Sequence, residues 1–466
     1  MKQVFVLSGV CAGLLLGCSS VRVPEYQRPQ APTKSTWSGP PPGTVTAAQA
    51  ISPQWWTQFG DPQLNSLVDK AIAGNLDLKI LAARISVAQS QIAEARAGSQ
   101  PTADLAAGSS FQKTTGGHAL SKEFSVGTQV SWDLDIWGKT QKGVQGQTAE
   151  FHATEADWRA GYLQIVADTS MTYFQILQLD EQIGQQQQAL AKNQQILVID
   201  ENMSNNGLIP GTDVLRQRAE INRLTKDLLE LRRLRDVTEN ALATLVGVPA
   251  GELKIPPARL DDHVQLPVVP AGLPADLLSR RPDVVAAEFR VLEAHDLMGQ
   301  ARLAQLPSVS LTGQAGSASF ALSDLFKAFT FGFMPTVNLP ILNPGIRAHA
   351  KTTQAEVKVA EEDYRRTVIA AFEEVESSLV NLEAHRKQRE ELQKQVDQLQ
   401  VVSAQTQSQL EVGVVSQLDV FENERSLLAA QLALLGSHEQ VLSDTVTLYK
   451  ALGGGWNPMQ VANAGR

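Results

Sequence analysis

From Phe124 to Ile136 the chain alternates. Phe124, Val126, Thr128, Val130, Trp132, Leu134 and Ile136 interleave with Ser125, Gly127, Gln129, Ser131, Asp133 and Asp135. Period two predicts a strand with one apolar face and one small or polar face. Phe329, Phe331, Phe333, Pro335, Val337, Leu339 and Ile341 repeat the pattern, and weaker alternation covers Ala103–Phe111 and Val309–Ser317. A run of 13 residues is longer than an average globular strand. It exceeds the roughly 9–11 residues that a tilted membrane strand needs. The polar face suits a water-filled lumen.

Between these segments the period changes. No proline interrupts the chain between Pro101 and Pro210, or between Pro344 and Pro458. Tyr162, Thr169, Ile176, Ile183, Leu190 and Leu197 fall seven apart, whereas Val368, Phe372, Val375, Leu379 and Leu382 step by four and three. Both are coiled-coil seams. They predict long helices over about Gln141–Asn206 and Ile346–Val412, each about 100 Å long at 1.5 Å per residue. Their other faces, as in Gln185–Gln188 and Lys387–Gln400, are hydrophilic. Shorter helices, about Asp213–Val246 and Leu418–Leu452, follow through tight turns. Another helix precedes each strand pair, at about Leu64–Gly98 and Ala275–Gln305, with start signals in Asp61-Pro62 and Pro274-Ala275-Asp276. The first and last helices of each set are about half as long as the long one. Two of them end to end match it, which suggests a layer of rods of equal height.

The pattern is duplicated at a spacing of 206 residues. Asp77, Arg84, Ala88, Ala95-Arg96, Pro101, Gly207, Asp213 and Val214 match Asp283, Arg290, Ala294, Ala301-Arg302, Pro307, Gly413, Asp419 and Val420. The expected organisation is a signal segment at 1–17, a Pro-rich segment at 18–60, a first repeat at 61–247 with its hairpin at about 102–137, and a connector at 248–273. A second repeat at 274–452, with its hairpin at about 308–342, and a tail at 453–466 complete it.

The start of the chain reads as a targeting segment. Lys2 precedes a charge-free apolar run, Val4–Leu16, which is too short for a comfortable membrane span. It ends in Leu15-Leu16-Gly17-Cys18-Ser19, which resembles a bacterial lipoprotein cleavage box. Cys18 is therefore the expected lipidation site, and Ser19 resembles the pattern sorted to the outer membrane. No later stretch is apolar for the length of a membrane helix. The choice is then between a tethered soluble protein and a β-barrel.

Composition narrows the chemistry. The chain of 466 residues is 43% hydrophobic and 19% charged, with 40 basic against 49 acidic residues and a formal charge of −9. Such a balance argues against a nucleic-acid partner. Cys11 and Cys18 are the two cysteines, so the rest of the chain forms no disulfide or thiolate site. The seven histidines are scattered, with no pair three or four apart, which argues against a metal site. Gly138-Lys139-Thr140 resembles the end of a phosphate-binding loop, but Asp133 stands where the first glycine is required. No catalytic constellation and no cofactor motif is present, so energy for transport has to come from a partner.

Four strands from one chain cannot close a membrane barrel, because the smallest use about eight, and open edges stay unsatisfied in lipid. The barrel is therefore expected to be shared between copies, with the helices continuing it as a tube in the periplasm. Several stretches carry a family resemblance. They are Val23-Pro24-Glu25-Tyr26-Gln27-Arg28-Pro29; Trp55-Trp56 through Phe59, Asp61-Pro62 and Leu64; Leu273-Pro274-Ala275-Asp276-Leu277-Leu278-Ser279-Arg280-Arg281-Pro282-Asp283; and Tyr449-Lys450-Ala451-Leu452-Gly453-Gly454-Gly455-Trp456. The chain resembles the TolC-like outer-membrane factors of tripartite efflux and type I secretion systems, and within them the lipidated branch serving multidrug pumps. The resemblance implies a mainly α fold with a β-barrel. It implies a homotrimer with twelve strands and a twelve-helix tunnel, a periplasmic adaptor (membrane fusion) protein, and an inner-membrane pump of the resistance-nodulation-division type.

The turns between long and short helices, Gly207–Asp213 and Gly413–Asp419, are helix punctuation. The resemblance makes them adaptor-contacting tips, pointing to Gly207, Thr212, Asp213, Gly413, Ser416 and Asp419. It also carries a periplasmic gate onto Leu418, Glu422 and Arg425, which lie about one helical turn apart on one face. In a ring, Leu418 would form an apolar constriction and Glu422 an acidic one favouring cations. Arg425 would hold the shut state by pairing with a neighbouring helix. Glu422 stands where the family pattern leads one to expect Asp. The leading expectation is a passive exit duct for drug-like small molecules through the outer membrane. A duct for secreted polypeptides and a lipid-anchored coiled-coil scaffold without a channel are the rivals.

Overall fold

A computed structural model describes residues 23–32, 34, 36–38, 51–113, 120–260, 264–269 and 280–455. The signal segment, Cys18, most of the Leu273–Asp283 motif, the expected start of the second repeat and Trp456 lie outside the described residues. The elements run α1 (Pro62–Gly74), α2 (Leu76–Ala97), β1 (Thr102–Lys113), β2 (Leu120–Leu134), α3 (Lys139–Asn205), α4 (Gly211–Val246), α5 (Pro282–Leu303), β3 (Ser308–Ser319), β4 (Thr330–Asn338), α6 (Pro344–Glu411) and α7 (Gln417–Ala451). A short 3-10 turn, Trp55–Phe59, precedes α1.

The single helix expected over Leu64–Gly98 is two helices. Asn75 breaks it with an extended backbone (ψ 130°). Its side-chain oxygen then accepts from the amides of Asp77 and Leu78 at 2.9 and 3.1 Å and starts α2. Asn competes well for such orphan donors. The apolar spacing continues across the break, so periodicity alone could not place it. The strands also stop short of Ile136 and Ile341. Asp135 accepts from the Gln141 amide at 2.8 Å and turns the chain into α3. Pro340 lacks a ladder donor, and Asn343 accepts from the Ile346 amide at 3.1 Å.

The chain divides into two compact units. One contains Ala83–Ala156, Ala286–Thr367 and residues 23–31. Its centre is a four-stranded antiparallel sheet in chain order, β1-β2-β3-β4. The hairpins of the two repeats meet where β2 pairs with β3, with Trp132 opposite Leu311. The N-terminal segment is fastened to this unit by Arg28, which pairs with Glu288 at 2.7 Å, and by Arg365, whose Nε donates to the Gln30 carbonyl at 3.2 Å.

The other unit contains Asp157–Val285, Val368–Arg466 and the remaining N-terminal part, within its described residues. Its core is aromatic. Trp55 stacks on Tyr449 with ring centres 4.9 Å apart, and Phe59 lies 5.1 Å from Phe174. Trp55, Trp56, Phe59, Tyr173, Phe174 and Tyr449 are all buried. Trp55 Nε1 has no hydrogen-bond partner among the described residues, but several other polar groups inside this core are paired. Tyr173 Oη donates to Asp61 Oδ2 at 2.7 Å, while Asp61 Oδ1 caps α1 through the amides of Gln63 and Leu64. Buried Arg281 holds Asp283 at 2.9 Å, Glu374 at 2.6 Å and the Ala451 carbonyl at 3.2 Å. Arg235 joins Asp180 (3.0 Å), Glu239 (2.9 Å) and the Ile255 carbonyl (2.6 Å), tying down the chain that follows α4. Lys34 and Ser38 both reach Glu376, at 3.1 and 3.0 Å.

Tyr173→Phe removes the donor from an Asp61 oxygen that lies inside the core. A loss of about 1–3 kcal/mol is expected, read as a lower thermal midpoint of the purified protein. An unchanged midpoint would mean that the pair contributes nothing net.

Candidate functional site: a two-faced sheet and two helical tips

Directly opposed residues in an antiparallel pair share a face, so the register sorts the sheet. Ala103, Val130, Gly313 and Phe333 stand in one row, and Leu105, Thr128, Ala315 and Phe331 in the next. Trp132, Leu311 and Pro335 continue this face, as do Leu134, Val309 and Val337. The opposite face carries Thr102, Ser131, Thr312 and Met334, then Asp104, Gln129, Gln314 and Gly332. Gln314 donates to Gln129 across it at 3.3 Å. On that face Gly127 lies directly opposite Gly316. A Cβ on Gly316 would lie 2.7 Å from the Val126 carbonyl oxygen and 2.9 Å from Gly127 Cα. The two backbones approach more closely than any side chain permits. On the other face Leu105, Phe331, Phe333 and Val337 are largely exposed in the single chain. Exposed apolar surface of this extent marks an interface or a membrane face.

Two indoles fix the junction of sheet and helices. Trp132 Nε1 donates to the Ser99 carbonyl at 2.8 Å, and Trp137 Nε1 donates to the Pro307 carbonyl at 2.7 Å. Each acceptor lies just before a strand. Trp132 was legible as a strand residue, but neither tryptophan was legible as a clamp.

The tips stand at the far ends of the long helices. Gly207 and Gly413 adopt φ of 72° and 75°, the left-handed ending that glycine permits. Their hydrogen bonds match, since Leu208 N reaches Met203 O and Val414 N reaches Gln409 O, both at 2.9 Å. The following helices start differently. Ser416 and Asp419 form a reciprocal capping box at the start of α7. The Ser416 hydroxyl and amide hold the Asp419 carboxyl below its ordinary pKa. In α4, Pro210 is the N-cap and supplies no side-chain bond. Thr212 and Asp213 belong to its first turn, where Asp213 pairs with Arg216 at 3.0 Å.

Leu418, Glu422 and Arg425 lie exposed on the first turns of α7, with Leu418 half accessible and Val420 buried beneath. Neither Glu422 nor Arg425 forms an ion pair among the described residues. Arg425 lines a cleft of about 240 Å³ together with Lys192, Glu220, Arg223, Phe421 and Glu424. Lys192 pairs with Glu424 there, and Arg223 pairs with Glu220.

Hydrophobic spacing missed one part of this region. The seam Ile183, Leu190, Leu197 is only half buried, whereas Gln186, Asn193 and Asp200, also seven apart, are buried. They face α4. Gln186 donates to the Leu224 carbonyl at 3.1 Å, and Gln217 donates to Asn193 at 2.6 Å from its backbone oxygen and 3.1 Å from its side chain. In the second repeat Asn423 donates to Thr406 Oγ1 at 2.9 Å. A seven-residue period of amides carries the same information as one of leucines, but a hydropathy pattern does not show it. Asp200 closes this seam with 5% exposure, and its Oδ2 has no hydrogen-bond partner. Burial, reinforced by the charge of Asp213, pushes its pKa up.

The family model described as outer membrane efflux protein matches residues 67–248 and 273–454. Its two segments are offset by the same 206 residues as the internal repeat. The chain belongs to this family of outer-membrane efflux proteins. It is 31% identical to the toluene efflux pump outer membrane protein TtgC of Pseudomonas putida, over 98% of this chain and 96% of that one. It is 31% identical to the cation efflux system protein CusC of Escherichia coli, over 96% and 98%. The open state of the MtrE outer membrane channel of Neisseria gonorrhoeae superposes with a TM-score of 0.83 at 27% identity, over 93% and 98%.

An acid whose pKa rises on folding weakens the fold when it ionises. For Asp200 that penalty is absent below the ordinary carboxylate pKa of 3.8, grows as pH climbs from there towards the raised value, and is complete above it. Asp200→Asn is therefore expected to raise the thermal midpoint at neutral pH, by the equivalent of about 1 kcal/mol. At about pH 3, where both states hold the proton, the gain should vanish. A variant that is less stable at neutral pH would show that the carboxylate has a partner in the assembly.

Proposed function

We propose that this outer-membrane efflux protein is the passive exit duct of a tripartite system for drug-like small molecules. One observation carries the reading. The sheet has a continuous apolar face, a polar face, and two edges, β1 and β4, with no partner strand among the described residues. Lipid offers no hydrogen bonds to such edges. Three copies joined β4 to β1 give twelve strands, enough for a closed barrel. The apolar face then meets lipid, and the Asp104–Gln129–Gln314 face lines water. No helix among the described residues is long and apolar enough to cross a membrane, which leaves the sheet as the spanning element. The long helices extend this barrel as a tunnel into the periplasm.

Relatives are components of efflux pumps and efflux systems, so the work is assigned to an inner-membrane pump of the resistance-nodulation-division type, joined through a periplasmic adaptor. Gly207, Thr212, Asp213, Gly413, Ser416 and Asp419 present the tips to that adaptor. Leu418, Glu422 and Arg425 face the axis at the same end. Three Leu418 side chains narrow the passage, three Glu422 carboxylates favour cations, and Arg425 closes the resting state by taking an acceptor on a neighbouring helix. The half-buried Ile183, Leu190 and Leu197 give α3 an apolar stripe for packing between copies.

Cys18 anchors the chain by acylation. Val23 is five positions further on, a reach of at most about 17 Å. Val23 lies beside Gly299 on α5, since its Cγ1 is 3.0 Å from where a Gly299 Cβ would be. Gly299 precedes β3 by nine positions, about 13 Å if the turn after α5 keeps a helical rise. The tether can therefore just reach the base of the sheet, where the inner leaflet ends.

Purified trimers in a planar bilayer are expected to give small stepwise conductances that rise severalfold when Leu418 and Glu422 are replaced by Ala and Ser. Absence of steps from both proteins would favour the scaffold reading. Mass spectrometry of the mature N-terminus is expected to find acylated Cys18. An unmodified start at any other residue refutes the anchor alone.

A further inference from the structure

The end of the sheet away from the helices sorts its charges by face. Lys122 stands opposite Phe111, in line with Phe124, Val126, Val130 and Trp132 on the apolar face. The next residue, Glu123, stands opposite Ser110 on the polar face. Lys122 is exposed and has no ion-pair partner among the described residues. A lone ammonium on a lipid-facing surface is costly unless it reaches the head groups or finds an anion.

The height of Lys122 decides which anion is available. Trp132, clamped to Ser99 at the helical end, marks the inner boundary, because tryptophan concentrates at membrane interfaces. Ten residues separate Trp132 from Lys122. At about 3.3 Å per residue and a strand tilt of about 40°, they rise about 25 Å. That equals the apolar band of an outer-membrane barrel, about 25 Å. Lys122 thus stands at the level of the outer-leaflet head groups.

The β3–β4 connection adds a second cation beside aromatic surface. Ser317, in the apolar row of Val126, donates through Oγ to the Leu325 carbonyl. This bond folds the connection back over that face and buries Leu325. Phe320, Phe326 and Phe329 are left 77%, 81% and 69% exposed. Lys327 lies among them and pairs with Asp324 at 2.6 Å, which occupies one of its three ammonium donors. If β4 of one copy closes on β1 of the next, the β4 end of this connection and the β2 strand that carries Lys122 in the next copy stand two strand spacings apart around the barrel, roughly 10 Å laterally. Aromatic surface then lies between and below them.

We propose that this collar of Lys122, Lys327 and exposed phenylalanines is a docking site for phosphate-bearing lipids of the outer leaflet. The ammonium groups bind the phosphates as point charges, and the rings receive the upper acyl segments. The site rests on the barrel reading above, because it needs the apolar face in lipid. Each interfacial lysine is expected to strengthen binding about fivefold.

The test uses the full-length trimer in detergent, titrated with bisphosphorylated lipid A and with its phosphate-free analogue, with bound lipid counted by native mass spectrometry. The wild type is expected to retain the bisphosphorylated form. Lys122→Gln with Lys327→Gln should weaken that retention about 25-fold, while the phosphate-free analogue binds both proteins equally and weakly. Lys122→Arg in the Lys327→Gln background should recover most of the Lys122 share, which separates charge from folding. Equal retention by wild type and double variant overturns the proposal. So does retention of the phosphate-free analogue at wild-type strength, which signifies acyl packing alone. The same preparations are placed in planar bilayers. Protein that conducts but ignores phosphate overturns the lipid site alone, and protein that never inserts overturns the barrel reading with it.

Discussion

A strand edge in hydrocarbon has no water with which to exchange hydrogen bonds, and this chain exposes two such edges, β1 and β4. The rest of the molecule answers to that constraint. A closed ring of strands satisfies every amide, but four strands are too few to close. Chain copies are therefore part of the fold rather than an addition to it. The same ring requires each strand to show lipid one face and water the other. That accounts for an alternation that survives even at Thr128, Ser317 and Pro335, where the apolar side carries less hydrophobic residues.

The helices obey a different rule. Within unit two, neighbouring helices are joined through amides and hydroxyls as much as through leucines: Gln186 to Leu224, Gln217 to Asn193, Asn423 to Thr406. Amide bonds in a coiled coil fix register at some cost in stability. Fixed register sets the height at which the residues at the ends of these helices stand. Near the aromatic core the balance reverses, and Val368, Phe372, Val375, Leu379 and Leu382 are all buried as a seam. Arg281 and Arg235 fasten chain ends to this core with several partners each, which compensates the desolvation of a buried guanidinium.

Much of the architecture was legible because it rests on periods. Alternation by two located the strands, freedom from proline located the long helices, and the 206-residue offset linked the halves. What escaped depends on single side chains acting on backbone. Asn75 breaks a helix that the apolar spacing carries through. Asp135 and Pro340 end strands before their alternation ends. Gln186, Asn193 and Asp200 form a buried seam beside the apolar one, invisible to any scale that scores amides as exposed. The tip glycines declared themselves by composition. The face presented by Leu418, Glu422 and Arg425 is exposed in one chain, and its meaning belongs to a ring of chains. Cys18 was legible only as a motif and lies outside the described residues.

The two tips are built to different stiffness. At α7, Ser416 and Asp419 hold each other's backbone donors, so fraying its first turn breaks two bonds together. At α4, Pro210 presets the backbone angle and accepts from the Asp213 amide through its carbonyl, but adds no side-chain bond. A mechanical load applied equally to both hairpins would therefore unwind the first repeat before the second. The two repeats, alike in outline, thus differ in how firmly their short helices begin.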